Sequence, residues 1–180
     1  MPKNESWWGA RLVAHLNDLD TRGERGALAE LRRALQRPPG EDANVFRHVI
    51  PFIGGASERD EPYAFLVASL FATHPDARGS GTLGKAFRAL AANTNSESVE
   101  RRFVSLLNAG AEDVHHHLRH GVSLLRGARI PVDWEQLLRD LSHWDHPGGY
   151  VQRSWAHDFW GYRKEEDTGT VNDKNAAAAA

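Results

Sequence analysis

From Trp7 to Trp160 the apolar residues of this chain recur at spacings of three and four, and no stretch alternates for long at two. That period belongs to the α-helix and not to the pleat of a strand, so each segment with a face to bury must bury it as a helix. The spacing predicts helices over roughly 6–20, 24–37, 42–53, 59–73, 81–93, 97–109, 111–127, 133–145 and 148–162. Breakers fall between them: Pro38-Pro39-Gly40, Gly54-Gly55, His74-Pro75, Asn93 to Asn95, Gly110, Pro131 and Pro147-Gly148-Gly149. Connections this short make neighbouring helices antiparallel. The expected fold is therefore all-α, a compact bundle of about eight or nine helices.

The helix after Pro131 carries the clearest local signals. Asp133 is placed to cap it, and Trp134, Leu137, Leu138, Leu141 and Trp144 form one apolar stripe. Tyr63, Leu66, Val67, Leu70 and Phe71 form another. The six tryptophans sit at such spacings and read as core. Residues 1–165 are expected to form one helical domain, with two lobes meeting near 93–97 as the alternative. Residues 166–180, ending in five alanines, are set aside as a disordered or appended tail.

Composition removes several function classes. Without cysteine there is no disulfide, thiolate zinc site or cysteine nucleophile. The N-terminus lacks the apolar run of a secretory signal, and the longest uncharged apolar stretch, residues 63–73, falls well short of the ~20 residues of a membrane helix. The chain thus reads as cytoplasmic, without a membrane partner. A net charge of -2 gives no global basic field. The charge is unevenly distributed, however: basic residues outnumber acidic ones from Arg78 to Arg139, and the balance reverses from Asp140 to Asn175. Of 22 basic residues, 18 are arginine, whose planar fork suits phosphate, although a GC-rich genome produces the same bias.

Helix geometry gathers some of those arginines. Advancing about 100° per residue from Leu28, the leucines 28, 31 and 35 cluster within about 60°, whereas Arg25, Arg32, Arg22, Arg33 and Arg37 fall between about 40° and 180°. Farther on, Arg119 and Arg126 are seven apart and point the same way beside His115, next to the stripe of Val114, Leu118, Val122 and Leu125. Arg102 flanks Val99, Phe103 and Leu106, while Arg139 and Arg153 lie on the polar sides of the last two helices. Arginines from several helices can line a groove for a polyanion; the competing reading leaves them solvated or salt-bridged. Such a groove would follow backbone and not base sequence, because no base-reading motif is present.

Three motifs suggest other chemistries. Gly79-Ser80-Gly81-Thr82-Leu83-Gly84-Lys85 matches a dinucleotide GxGxxG and nearly a Walker loop, yet a helix precedes it and Ala86 stands where magnesium needs Ser or Thr. Its expected role is a loop feeding a helix, where Arg78, Lys85 and Arg88 are within reach of a phosphate. Glu112, His116 and His120 share one helix face, but that face points away from the core, so no metal is expected. No nucleophile elbow occurs, and the paired acids Glu41-Asp42 and Glu165-Glu166-Asp167 lie in connections or tails. No catalytic residue and no cofactor are expected.

Five segments then occur in one order: LRRALQRPPG at 31–40, SVERRFVSLL at 98–107, LRHGVSLL at 118–125, DWEQLLRDLSHWD at 133–145 and VQRSWAHDFWG at 151–161. Together they resemble the CasB family, the small subunit of the type I-E CRISPR surveillance complex called Cascade, over roughly residues 6–163. The resemblance implies a non-catalytic subunit that self-associates as a dimer beside the guide RNA and the other Cascade subunits. It also implies that basic surfaces hold the target and displaced DNA strands and so stabilise the R-loop. Arg32 and Arg33 match the family's basic positions best, and Arg102, Arg119, Arg139 and Arg153 match within their segments. Arg37 and Arg126 join the nucleic-acid-binding set through helix geometry. A purely structural adaptor, without direct nucleic-acid contact, remains the alternative.

Overall fold

A computed structural model describes residues 7–75, 79–94 and 97–161. The tail at 166–180, Arg78 and Asn95 lie outside these residues, as does the middle of the expected lobe boundary. The described chain is all-helical: α1 (Trp8–Thr21), α2 (Arg25–Ala34), α3 (Phe46–Val49), α4 (Glu61–Thr73), α5 (Leu83–Thr94), α6 (Glu97–Leu107), α7 (Val114–Gly127), α8 (Trp134–Leu141) and α9 (Tyr150–Trp160). None of these helices is long and apolar enough to cross a membrane.

α4 is the centre. Every residue from Tyr63 to Ala72 is buried, as expected of a helix that is apolar all round and has neighbours on every side. Pro62 sits in its first turn, where a missing N–H costs nothing. α1, α2, α7 and α8 pack around it, and α5, α6, α7 and α9 form the second half, so α7 belongs to both. The buried apolar side chains make one continuous cluster from Trp8 to Phe159.

Two departures from the expected helices have local causes. The segment 42–53 is not one helix: 3-10 turns at Ala43–Val45 and Ile50–Phe52 flank a four-residue α3. Pro51 lacks the N–H that a continuous helix would need there, although Val45, Val49 and Ile53 still bury one side at a spacing of four. α2 stops at Ala34, ahead of Pro38-Pro39, so Arg37 lies in the following loop. Arg22 is not on α2 either; it closes α1 and pairs with Asp18 at 2.9 Å.

Asp133 caps α8 as expected, accepting from the Gln136 N–H at 2.9 Å. Its other oxygen accepts from the Gly81 N–H at 3.1 Å. A carboxylate therefore holds the glycine-rich loop where a nucleotide reading would put phosphate. Gly84, in the same motif, is a packing residue: a Cβ there would collide with the Trp155 carbonyl, so α5 meets α9 at backbone distance. Four tryptophans, 8, 134, 144 and 155, are buried, whereas Trp160 is 46% exposed and only partly fulfils the core expectation.

Candidate nucleic-acid interface

α2 and α7 flank α4, and arginines from α2, the loop that follows it and α7 meet in pairs over α4. Arg32 donates from both Nε and Nη2 to the Ala72 carbonyl, at 3.1 and 2.9 Å. That acceptor lies at the C-terminal end of α4, where the helix dipole favours a cation. Two of the guanidinium's five donors are thereby fixed, and the other three have no partner among the described residues. Arg32 lines a depression of about 500 Å³ with Arg126, Arg129, Thr73, His74, Pro75 and Pro131. Among the described residues no carboxylate lines it. The buried His74 sets its floor through a 2.8 Å hydrogen bond between Nε2 and the Ile130 carbonyl.

Arg37 and Arg119 meet at the other end, around a narrow crevice they share with His115, Pro38, Pro39, Asp42 and Phe65. Asp42 is the one acid there, and it already accepts from the Asn44 N–H and side-chain amide. Burial first, then the neighbouring His116 and Arg119, hold the His115 imidazole below its ordinary value, so it is neutral at pH 7. α2 and α7 thus run antiparallel past α4, with Arg32 near Arg126 and Arg37 near Arg119. Arg33 is exposed beside Arg32. The nearest acid on α2, Glu30, is not available to this row. Arg47 and His48 bond it at 2.6 and 3.0 Å and hold its carboxyl below the usual range.

The other candidates lie elsewhere. Arg102 lines a separate depression of about 470 Å³ with Phe87, Ser105, His117, His120 and Leu124. On α7 that face is about 150° from the one bearing His115, Arg119 and Arg126, so Arg102 belongs to the far side of the helix. Arg139 pairs with Glu135 at 3.0 Å and stacks 4.5 Å over the Trp7 ring. Arg153 is exposed on α9, one turn from His157, which lines a recess of about 540 Å³ with Lys85, Arg88 and Asp158. Glu112, His116 and His120 are exposed, and among the described residues no group of three His, Asp or Glu side chains is placed to hold a metal.

Sequence reasoning missed Arg129. It follows the end of α7 and is the only non-glycine with positive φ, 56°, among the described residues. The Ile130 N–H bonds to the Leu125 carbonyl at 2.9 Å and the Arg129 N–H to that of Arg126 at 3.0 Å. This is a Schellman ending with Arg129 at the left-handed position that glycine usually fills. An L-residue there costs about 1–2 kcal/mol. The signal available in the sequence was Arg126-Gly127-Ala128-Arg129, with glycine two residues too early to serve the turn.

An all-helical fold with cation-lined depressions on its surface defines a class but no single family. The model of CRISPR-associated protein Cse2 matches residues 27–160, and the chain belongs to that family. The CRISPR-associated protein Cse2 of Thermus thermophilus is 35% identical over 144 residues, spanning 78% of this chain and 82% of that protein. The crystal structure of CasB from Thermus thermophilus superposes with a TM-score of 0.76 at 32% identity, covering 86% of this chain and 98% of that one. A chain of a CRISPR RNA-guided surveillance complex gives 0.72 at 28% identity, covering 84% and 91%. The resemblance to CasB seen in the sequence is therefore correct.

Proposed function

We propose that this chain is the small, non-catalytic subunit of a Cascade surveillance complex and that it stabilises the R-loop by holding DNA backbone along the α2–α7 row. The observation that carries the reading is that Arg32 with Arg126, and Arg37 with Arg119, converge over α4 with no carboxylate paired to any of them among the described residues. Guanidinium groups left with spare donors suit phosphate oxygens. Exchanging a DNA duplex for an RNA–DNA heteroduplex is nearly balanced in free energy, so a few such contacts tip it. Arg33 extends the row. Arg102 and Arg153, on other faces, suit a second strand or the guide RNA, and the remaining surfaces suit other subunits and a second copy of this chain. The reading puts the protein in the cytoplasm with its complex.

The test uses Arg37→Ala, Arg119→Ala and Arg126→Ala together, because none of these side chains hydrogen-bonds to protein among the described residues. At 0.1 M salt each lost single-strand phosphate contact is worth about fivefold, since the counterion slope is about 0.7 per contact. Affinity for single-stranded DNA should fall about a hundredfold, with the helical circular dichroism unchanged and R-loop formation by the assembled complex impaired. An adaptor that never touches nucleic acid would show no salt-dependent DNA affinity and undiminished R-loop formation by the triple variant.

A further inference from the structure

The α7 ending spends conformational energy on an arginine where glycine would be free of strain, and that arginine faces the same depression as two others. We propose that Arg32, Arg126 and Arg129 form a discrete phosphate seat, with Arg129 as a binding residue in its own right. The inference rests on the nucleic-acid reading for its natural ligand, a backbone phosphate.

The depression is suited to an anion and to little else. Among the described residues, three guanidinium groups and no carboxylate line it, and Arg126 and Arg129 make no ion pair. The other polar groups are already used: the Thr73 hydroxyl donates to the Leu70 carbonyl at 2.6 Å, and the His74 ring bonds the Ile130 carbonyl. Only the guanidinium donors are left for a ligand. Arg32 is held in place beforehand by its two bonds to Ala72, so part of the ordering cost is met before binding. A volume of about 500 Å³ admits a phosphate with its sugar. The dipole at the end of α7 accounts for a cation at Arg126, which is reached with ordinary helical backbone. It does not account for a side chain at the left-handed position, since glycine there would satisfy the same carbonyls.

Two properties should therefore move in opposite directions in Arg129→Gly. Relief of the positive φ should raise Tm by about 2–4 °C for a chain of this size. Loss of one contact should weaken single-stranded DNA binding about fivefold at 0.1 M salt and make the salt slope shallower by about 0.7. Arg129→Asn, which also tolerates the left-handed conformation, should show the same loss of affinity. A Tm increase with DNA affinity and slope unchanged in both variants would overturn the seat, as would a fall in Tm in both, which would make Arg129 a structural residue.

Inorganic pyrophosphate separates this inference from the reading on which it rests. It should raise the Tm of the unsubstituted chain, and the rise should be smaller in Arg129→Gly. If the chain bound no single-stranded DNA yet kept this pyrophosphate response, the strand-holding reading would fall and the seat would stand. If it bound DNA with a response to pyrophosphate that Arg129→Gly left intact, the seat alone would fall.

Discussion

The arginines on the α1, α3 and α8 side of the molecule are used by the fold, whereas those between α2 and α7 are largely left over. Arg11 bonds the Gly54 carbonyl, Arg47 bonds Glu30, Arg59 donates to the Ser142 carbonyl at 2.7 Å, and Arg139 is held by Glu135 and Trp7. By contrast, Arg37, Arg119, Arg126 and Arg129 have no such partners among the described residues, and Arg32 uses only part of its donor capacity. The same residue type thus does two jobs. What separates them is whether a carbonyl or carboxylate stands within reach.

The comparison breaks if the first group turns out to matter for binding or the second for stability. Arg59→Ala combined with Arg139→Ala should destabilise the fold by about 2–3 kcal/mol, mostly because the Ser142 carbonyl loses a charged donor while the exposed Arg139 pair contributes less. That is a Tm fall of roughly 4–12 °C. The salt slope of DNA binding should not change. A shallower slope in this variant would erase the distinction between the two regions.

A finer contrast lies within α2, where adjacent arginines fall on either side of the same line. Arg32→Ala removes both donors from the Ala72 carbonyl and should cost about 1–2 kcal/mol in thermal or denaturant unfolding, in addition to its effect on binding. Arg33→Ala, at an exposed position, should stay within about 0.5 kcal/mol of the parent while still losing DNA affinity. Equal stability losses in the two variants would mean that the Ala72 bonds contribute nothing.

Periodicity made the fold legible, because each helix writes its buried face into its own sequence. The limits of α2 and the broken segment at 42–53 were less legible, since they depend on where Pro38, Pro39 and Pro51 cut a pattern that otherwise continues. The candidate site was legible only one helix at a time. A helical wheel places Arg119 and Arg126 on one side of α7, and the structure keeps them there. It cannot say that Arg37 arrives opposite Arg119 while Arg102 lies behind the helix, because that depends on how α2, α6 and α7 stack. Arg129 lay in the connection between the helices read at 111–127 and 133–145, where no periodicity applies. Gly84 shows the same limit from another direction: its motif suggested phosphate, whereas its reason for being there is the backbone of Trp155.

The smallest expected effect concerns a carboxylate rather than an arginine. Asp140 is half-buried between α8 and α9, where it accepts from the Trp155 indole at 2.6 Å and the Gln136 amide at 2.8 Å. Its sequence neighbour Arg139 pairs with Glu135, and no arginine hydrogen-bonds to Asp140 among the described residues. Burial therefore pushes its carboxyl above the ordinary value of 3.8, with the two hydrogen bonds only partly opposing the shift. Because the folded value exceeds the unfolded one, this group's contribution to stability is fully present below 3.8 and is lost as pH rises through the folded value. Asp140→Asn retains an acceptor for Trp155 and cannot ionise. Its stability relative to the parent should therefore become more favourable as pH rises across that window, as read from unfolding at several pH values between about 3.5 and 7. A difference that stayed flat, or became less favourable with rising pH, would show that Asp140 is satisfied as an anion. The fold would then hold a half-buried carboxylate with neutral donors alone, without any of the arginines it holds in reserve.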